Sequence, residues 1–185
     1  MASPIGHSLA VFFGFFLVRE NAEFLKYYSS KKLIITAIIV ANLSDVDSIL
    51  GYLIYQDFNA LHLQFTHSFF VGFIVCIIIY FCLRFYKKIT YFFLVWLWGL
   101  YFSHILLDML AYDSNPPAGV QCFFPFTADY FAFPISILGG LTFTGGIIQL
   151  KNFLTVLQEV IVIPLLSYVV LLIVKKLKKD EIINN

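Results

Sequence analysis

Long apolar runs, separated by short polar stretches, set the pattern of this chain. A spanning helix needs about 20 mostly apolar residues, within a range of about 17–25. Residues 66–85, 89–112 and 153–174 meet that length. Residues 4–18 and 33–50 form two shorter runs, and the second carries Asp45 and Asp47 near its end. Residues 131–150 are apolar but rich in glycine, with Pro134 among them, and read as a re-entrant or interfacial segment. The pattern predicts an all-α integral membrane protein: a bundle of about five transmembrane helices with that glycine-rich segment. Residues 1–185 form a single polytopic domain, and residues 175–185 a basic and polar tail.

Composition strengthens this picture. The 185 residues are 61% hydrophobic and 12% charged. A soluble domain has about 45–50% apolar and about 25% charged residues. One small core could not bury so much apolar surface, so lipid must cover the rest. The net charge of +1 supplies no global field for nucleic acid. The three cysteines form no CxxC pair, which argues against a disulfide framework or a thiolate metal site. The N-terminal stretch lacks a basic n-region and a small-residue cleavage site, and reads as a retained segment.

Charge gives the orientation. Arg19, Lys26, Lys31 and Lys32 follow the first predicted helix; Arg84, Lys87 and Lys88 follow the third; Lys175, Lys176, Lys178 and Lys179 follow the last. Five passages put these three clusters on one side, the cytoplasm, with the N-terminus outside and the C-terminus inside. His7, His62, His67 and His104, all the histidines of the chain, then fall on the opposite side. Six of the eleven acids join them: Asp45, Asp47, Asp57, Asp108, Asp113 and Asp129.

The candidate chemistry lies in that gathering. His104 and Asp108 are four apart on a predicted helix, so both side chains leave one face. They can share a metal, or the carboxylate can orient the imidazole; a polar pair at the helix end is the plainer reading. Asp45 and Asp47, two apart, suit a helix terminus or turn whose carboxylates converge on a cation. Thr66 reads as the cap of the third helix, with His67 in its first turn. His7 lies in the first turns of helix one. Glu159 is an intramembrane acid, either functional or paired with Gln158 or Lys151. Nitrogen and oxygen donors without thiolate suit zinc, manganese or magnesium, and up to seven donors would allow a dinuclear site. No nucleotide-binding glycine loop or nucleophile elbow is present.

The order SPIGH, LSDVD, HLQFTHS, SHILLD and FFPF resembles the YdjM-like bacterial membrane proteins. These are described as LexA-binding, inner-membrane-associated, metal-dependent hydrolases. The resemblance covers about residues 3–126. His7, Asp45, Asp47, His62, His67, His104 and Asp108 fall on the family's motif positions, and Pro125 and Phe126 on its loop. Ser44, Leu63 and Gln64 stand where the family has proline, arginine and glycine. The resemblance implies the bacterial inner membrane, a divalent metal (zinc foremost) and a LexA contact.

Together these lines imply a membrane-embedded, metal-dependent hydrolase acting on an ester or phosphoester of a lipid or amphiphile at the outer interface. His7, Asp45, Asp47, His67, His104 and Asp108 are the expected metal ligands, and Asp45, Asp47 and His62 the expected catalytic groups. The rival readings are a small cation or proton transporter, and a membrane scaffold without catalysis. Against transport, the inner halves of helices three and four offer no ionisable group before the basic boundary.

Overall fold

A computed structural model describes residues 1–19, 25, 28–86, 89–112, 117–143, 146 and 148–184. Among these the fold is all-helical, with α1 (Pro4–Arg19), α2 (Ser30–Ala41), α3 (Val46–Tyr55), α4 (Phe69–Tyr86), α5 (Tyr91–Leu110) and α6 (Leu150–Asn184). Lys26, Lys87, Lys88 and Asp113 lie outside the described residues.

Each helix begins or breaks for a local reason. Ser3 caps α1: its Oγ accepts from Gly6 N and its carbonyl from His7 N, both at 3.0 Å. Pro4 takes the first helical position, where no N–H is needed. The run 33–50 is two helices bent by 48°, with the break at residues 42–45. Asn42 ends α2 by folding its Nδ2 back onto Ile38 O at 2.8 Å. Asp45 occupies the N-cap position of α3, yet its carboxylate makes no capping bond. Thr66 was expected to cap the third predicted helix, but Ser68 does so. Its Oγ accepts from Phe70 N at 3.2 Å and Val71 N at 3.4 Å. Ser68 is extended, as an N-cap must be, while Thr66 belongs to a 3₁₀ turn, Phe65–His67, just before it.

α5 and α6 (to Leu177) are long and apolar enough to cross a membrane, and the bent α2–α3 pair makes a third candidate span. α1 and α4 are shorter apolar helices. The described residues therefore give two or three candidate spans where about five were expected. Pro164 sits within α6, where a membrane helix tolerates it. Lys175 and Lys176 continue that helix, so the basic residues expected as a tail begin in helical form.

α1 packs against α2, α5 and α6, and α5 against α2 and α4. The core they enclose includes Val11, Phe15, Ala37, Leu97 and Tyr101. The α4–α5 contact is close: a Cβ at Gly72 would fall 2.3 Å from Tyr101 Cδ1. Only glycine admits the tyrosine ring there. Tyr101 then donates from its hydroxyl to Thr66 O at 2.6 Å, which fastens the 3₁₀ turn.

The glycine-rich segment predicted over residues 131–150 is non-helical up to Leu150 in its described part. Gln158 of α6 accepts from Gly139 N at 2.8 Å and donates to Ile137 O at 3.1 Å, while Leu141 N donates to Met1 O at 3.0 Å. The starts of α1, α4 and α6 and the ends of α2 and α5 thus gather at one end of the bundle.

Candidate metal centre

At that end, four side chains from three places in the chain converge. Asp45 comes from the α2–α3 break, His67 from the 3₁₀ turn, and His104 and Asp108 from the last turns of α5. Each offers one ligand atom, and the four atoms lie within 4.8 Å of one another. His67, His104 and Asp108 are buried, while Asp45 is of intermediate exposure although both of its carboxylate oxygens are buried.

The distances describe a polyhedron. His104 Nε2 lies 3.1 Å from Asp108 Oδ2, 3.5 Å from Asp45 Oδ1 and 3.2 Å from His67 Nε2. His67 Nε2 lies 3.3 Å from Asp108 Oδ2 and 3.7 Å from Asp45 Oδ1. A tetrahedral zinc with bonds of about 2.0–2.2 Å has ligand–ligand edges of about 3.3–3.6 Å. The five separations scatter around that length.

Ring nitrogens and lone pairs are committed to match. His104 Nδ1 lies 2.6 Å from Ala41 O, and a carbonyl only accepts, so Nδ1 carries the proton. His67 Nδ1 lies 3.1 Å from Asp47 Oδ2, again an acceptor. When neutral, each ring therefore turns an Nε2 lone pair into the cluster. Both oxygens of Asp45 and Oδ2 of Asp108 are buried without a hydrogen-bond partner. Two carboxylates and two lone pairs facing each other unsatisfied would be costly. One divalent cation fits them in charge, donor type and spacing.

The other expected ligands stand outside this set. Asp47 is fully buried and already bonded: its Oδ1 meets His62 Nδ1 at 2.9 Å, and its Oδ2 takes His67 Nδ1 and the Thr66 hydroxyl. Asp47, His62 and His67 form a second group that could hold an ion, but these are ordinary hydrogen-bond distances, those of a carboxylate orienting a ligand histidine. His7 stacks on His104 with ring centroids 3.7 Å apart. Its Nε2 is 3.5 Å from Asp108 Oδ1, the oxygen that also accepts from Ala2 N at 2.8 Å. Asp129 is exposed and bonds Thr127, away from the cluster.

Pro125 and Phe126 do not enter the site. Their loop braces it: Ser68 donates to Phe124 O, Phe69 N to Cys122 O at 3.0 Å and Gln121 N to Leu63 O at 3.0 Å. Burial pushes the Cys122 thiol up, so it stays protonated in this loop.

Glu159 does not pair with Gln158 or Lys151. It accepts from Ser3 N at 2.7 Å and from the Ser3 hydroxyl, at the start of α1. Sequence reasoning missed this contact and the Ala41 carbonyl, both made across the bundle. Only the isolated intramembrane acid pointed toward the first.

The model of the YdjM inner membrane protein family matches residues 3–181. The chain belongs to this family. Membership makes it a membrane-associated protein and extends the likeness through α6, beyond the motif-bearing region. No curated protein and no solved structure matches the chain.

Proposed function

We propose that this protein is a membrane-embedded, metal-dependent hydrolase acting on an ester or phosphoester of a lipid or amphiphile. The observation that carries this reading is the four-donor cluster of Asp45, His67, His104 and Asp108, with tetrahedral spacing and one partly exposed member. A divalent metal, zinc foremost, would supply Lewis acidity and a nucleophile at neutral pH.

The residues divide the remaining work. His67, His104 and Asp108 are the firm ligands, each buried and each held from behind. Asp45 has the longer separations, 3.5 and 3.7 Å, and both of its oxygens are unbonded. A catalytic zinc keeps a position open, and Asp45 is the donor that can give way. Its free oxygen can then accept the proton released when water attacks. Asp47 fixes His67, and His62, itself buried, extends that hydrogen-bonded chain. This reading keeps the cluster on the outer side of the membrane, with the N-terminus outside, the C-terminus in the cytoplasm and five passages, an arrangement the basic clusters favour.

The test is metal content and turnover on the purified protein in detergent. It should carry about one divalent ion per chain and release product from a lipid or short-chain phosphoester only when that ion is present. Asp45→Asn should slow release by about a hundredfold, or roughly 2.7 kcal/mol of barrier. An ion flux in proteoliposomes that vanishes with Asp45→Asn, with no ester cleaved, would replace this reading with a transporter.

A further inference from the structure

We propose that a groove between α1 and α5 seats one acyl chain of a membrane lipid. A cavity of about 390 Å³ lies between Val11, Gly14 and Phe15 of α1 and Trp96, Gly99 and Leu100 of α5. Ligand pockets run from roughly 300 to 1,000 Å³. Three features identify the occupant.

The first is chemistry. The side-chain polar groups of the lining are the Ser103 hydroxyl, which already donates to Leu100 O at 2.7 Å, and the single indole N–H of Trp96, with no charged group and no side-chain carbonyl. A polar ligand would leave most of its hydrogen bonds to water unreplaced. Hydrocarbon loses nothing there.

The second is length. On α5 the lining runs from Phe92 to Ser103. At about 1.5 Å per residue this is about 16 Å, near half of the roughly 30 Å hydrocarbon core. The groove therefore has about the length of one lipid tail, running from Ser103 beside the metal centre toward the opposite, basic end of α5.

The third is continuity with the metal centre. Val11 is four residues after His7, and Leu100 four before His104. The groove therefore follows the same two helix faces, one turn deeper. A lipid that enters from the metal-centre end places the bonds next to its head group beside His104. That this lipid is the substrate rests on the hydrolase reading; the seating of the tail does not.

Gly14 and Gly99 keep the groove open. A Cβ at either position would meet nothing within 4 Å, so a larger side chain enters the cavity without displacing a helix.

The full chain would be placed in nanodiscs with a phosphatidylcholine carrying a diazirine in one acyl chain, and crosslinks mapped by mass spectrometry. Labels should concentrate on residues 10–15 and 92–103. Gly99→Leu and Gly14→Leu each exclude more than two methylenes and should cut that labelling by about tenfold while metal content stays unchanged. On the wild type, hexadecylphosphocholine should suppress groove labelling at lower concentration than hexylphosphocholine, a readout that survives if the variants fail to fold. Labels spread evenly onto lipid-facing residues of α6 such as Val160 and Leu165, with no dependence on competitor length, would overturn the proposal. His104→Ala separates the two readings. Groove labelling that persists in it, with no ester cleaved by the wild type, refutes the hydrolase and leaves the groove. Turnover in the wild type without groove labelling does the reverse.

Discussion

The Nε2 atoms of His67 and His104 face each other at 3.2 Å, and neither ring can turn its other nitrogen inward. Ala41 O holds one Nδ1 and Asp47 the other. Protonating both Nε2 atoms would set two N–H groups against each other in a buried site. One Nε2–H could bridge the two rings, but with neither protonated, two lone pairs and the unbonded oxygens of Asp45 and Asp108 are arranged to take a cation between them.

Removing either ring should therefore empty the site. His67→Ala and His104→Ala are each expected to lower bound metal to background, read by elemental analysis after purification in detergent. Asp129→Ala should retain wild-type metal, because that carboxylate is exposed and bonded to Thr127. Equal metal in wild type and His104→Ala would refute the assignment.

Asp47 should behave differently from Asp45 although the two are separated by a single residue. Orienting carboxylates typically contribute 10–100-fold in metal affinity. Asp47→Asn should weaken metal binding within about that range and still allow loading at high metal concentration. Asp45→Asn should retain most of the metal, held by three other donors, and lose turnover. Titration with a competing chelator distinguishes the pair, and an Asp47→Asn variant that never loads would make Asp47 a ligand.

Much of this site was legible in the chain because its parts are local. His104 and Asp108 share a helix face by spacing alone, and the alternation of basic loops with apolar runs brings every histidine to one side. The division of labour between Asp45 and Asp47 was not legible. It depends on the bend of 48° between α2 and α3, which turns one carboxylate to the cluster and the other behind His67. The cap of α4 was misplaced because Thr66 and Ser68 are equally good capping residues. Only the demand of Asp47 for the Thr66 hydroxyl decides between them. α4, with 18 residues, falls short of the run over 66–85 because the 3₁₀ turn takes the first residues of that run.

Gly72 offers a test of the packing behind the site. Tyr101 reaches Thr66 O only because α4 has no side chain at that point. Gly72→Ala should force the ring away and lower stability by about 1–3 kcal/mol, as overpacking typically does. It should weaken metal binding as well, since the 3₁₀ turn carrying His67 loses its fastening. Tyr101→Phe should affect the turn while sparing the packing, and so lower metal affinity with a smaller shift in thermal unfolding. Unchanged affinity in both would show that the turn is held by its other contacts.

Glu159 ties the start of α1 to α6. Its carboxylate takes Ser3 N at 2.7 Å and the Ser3 hydroxyl, while the next amide back, Ala2 N, holds Asp108 Oδ1 at 2.8 Å. A negative group beside a helix N-terminus also meets the positive end of the helix dipole. Glu159→Ala leaves the buried Ser3 N–H without a partner, which costs about 1–3 kcal/mol. It should lower the unfolding temperature and, by loosening Ala2 from Asp108, reduce metal affinity several-fold without abolishing it. Glu159→Gln keeps an acceptor for Ser3 N and can donate to the Ser3 oxygen, so it should restore most of both properties. Turnover per bound metal should stay near wild type in the two variants, because Glu159 positions α1 and touches no donor of the cluster. A loss of turnover in Glu159→Gln with metal content and stability intact would instead make this acid part of the chemistry.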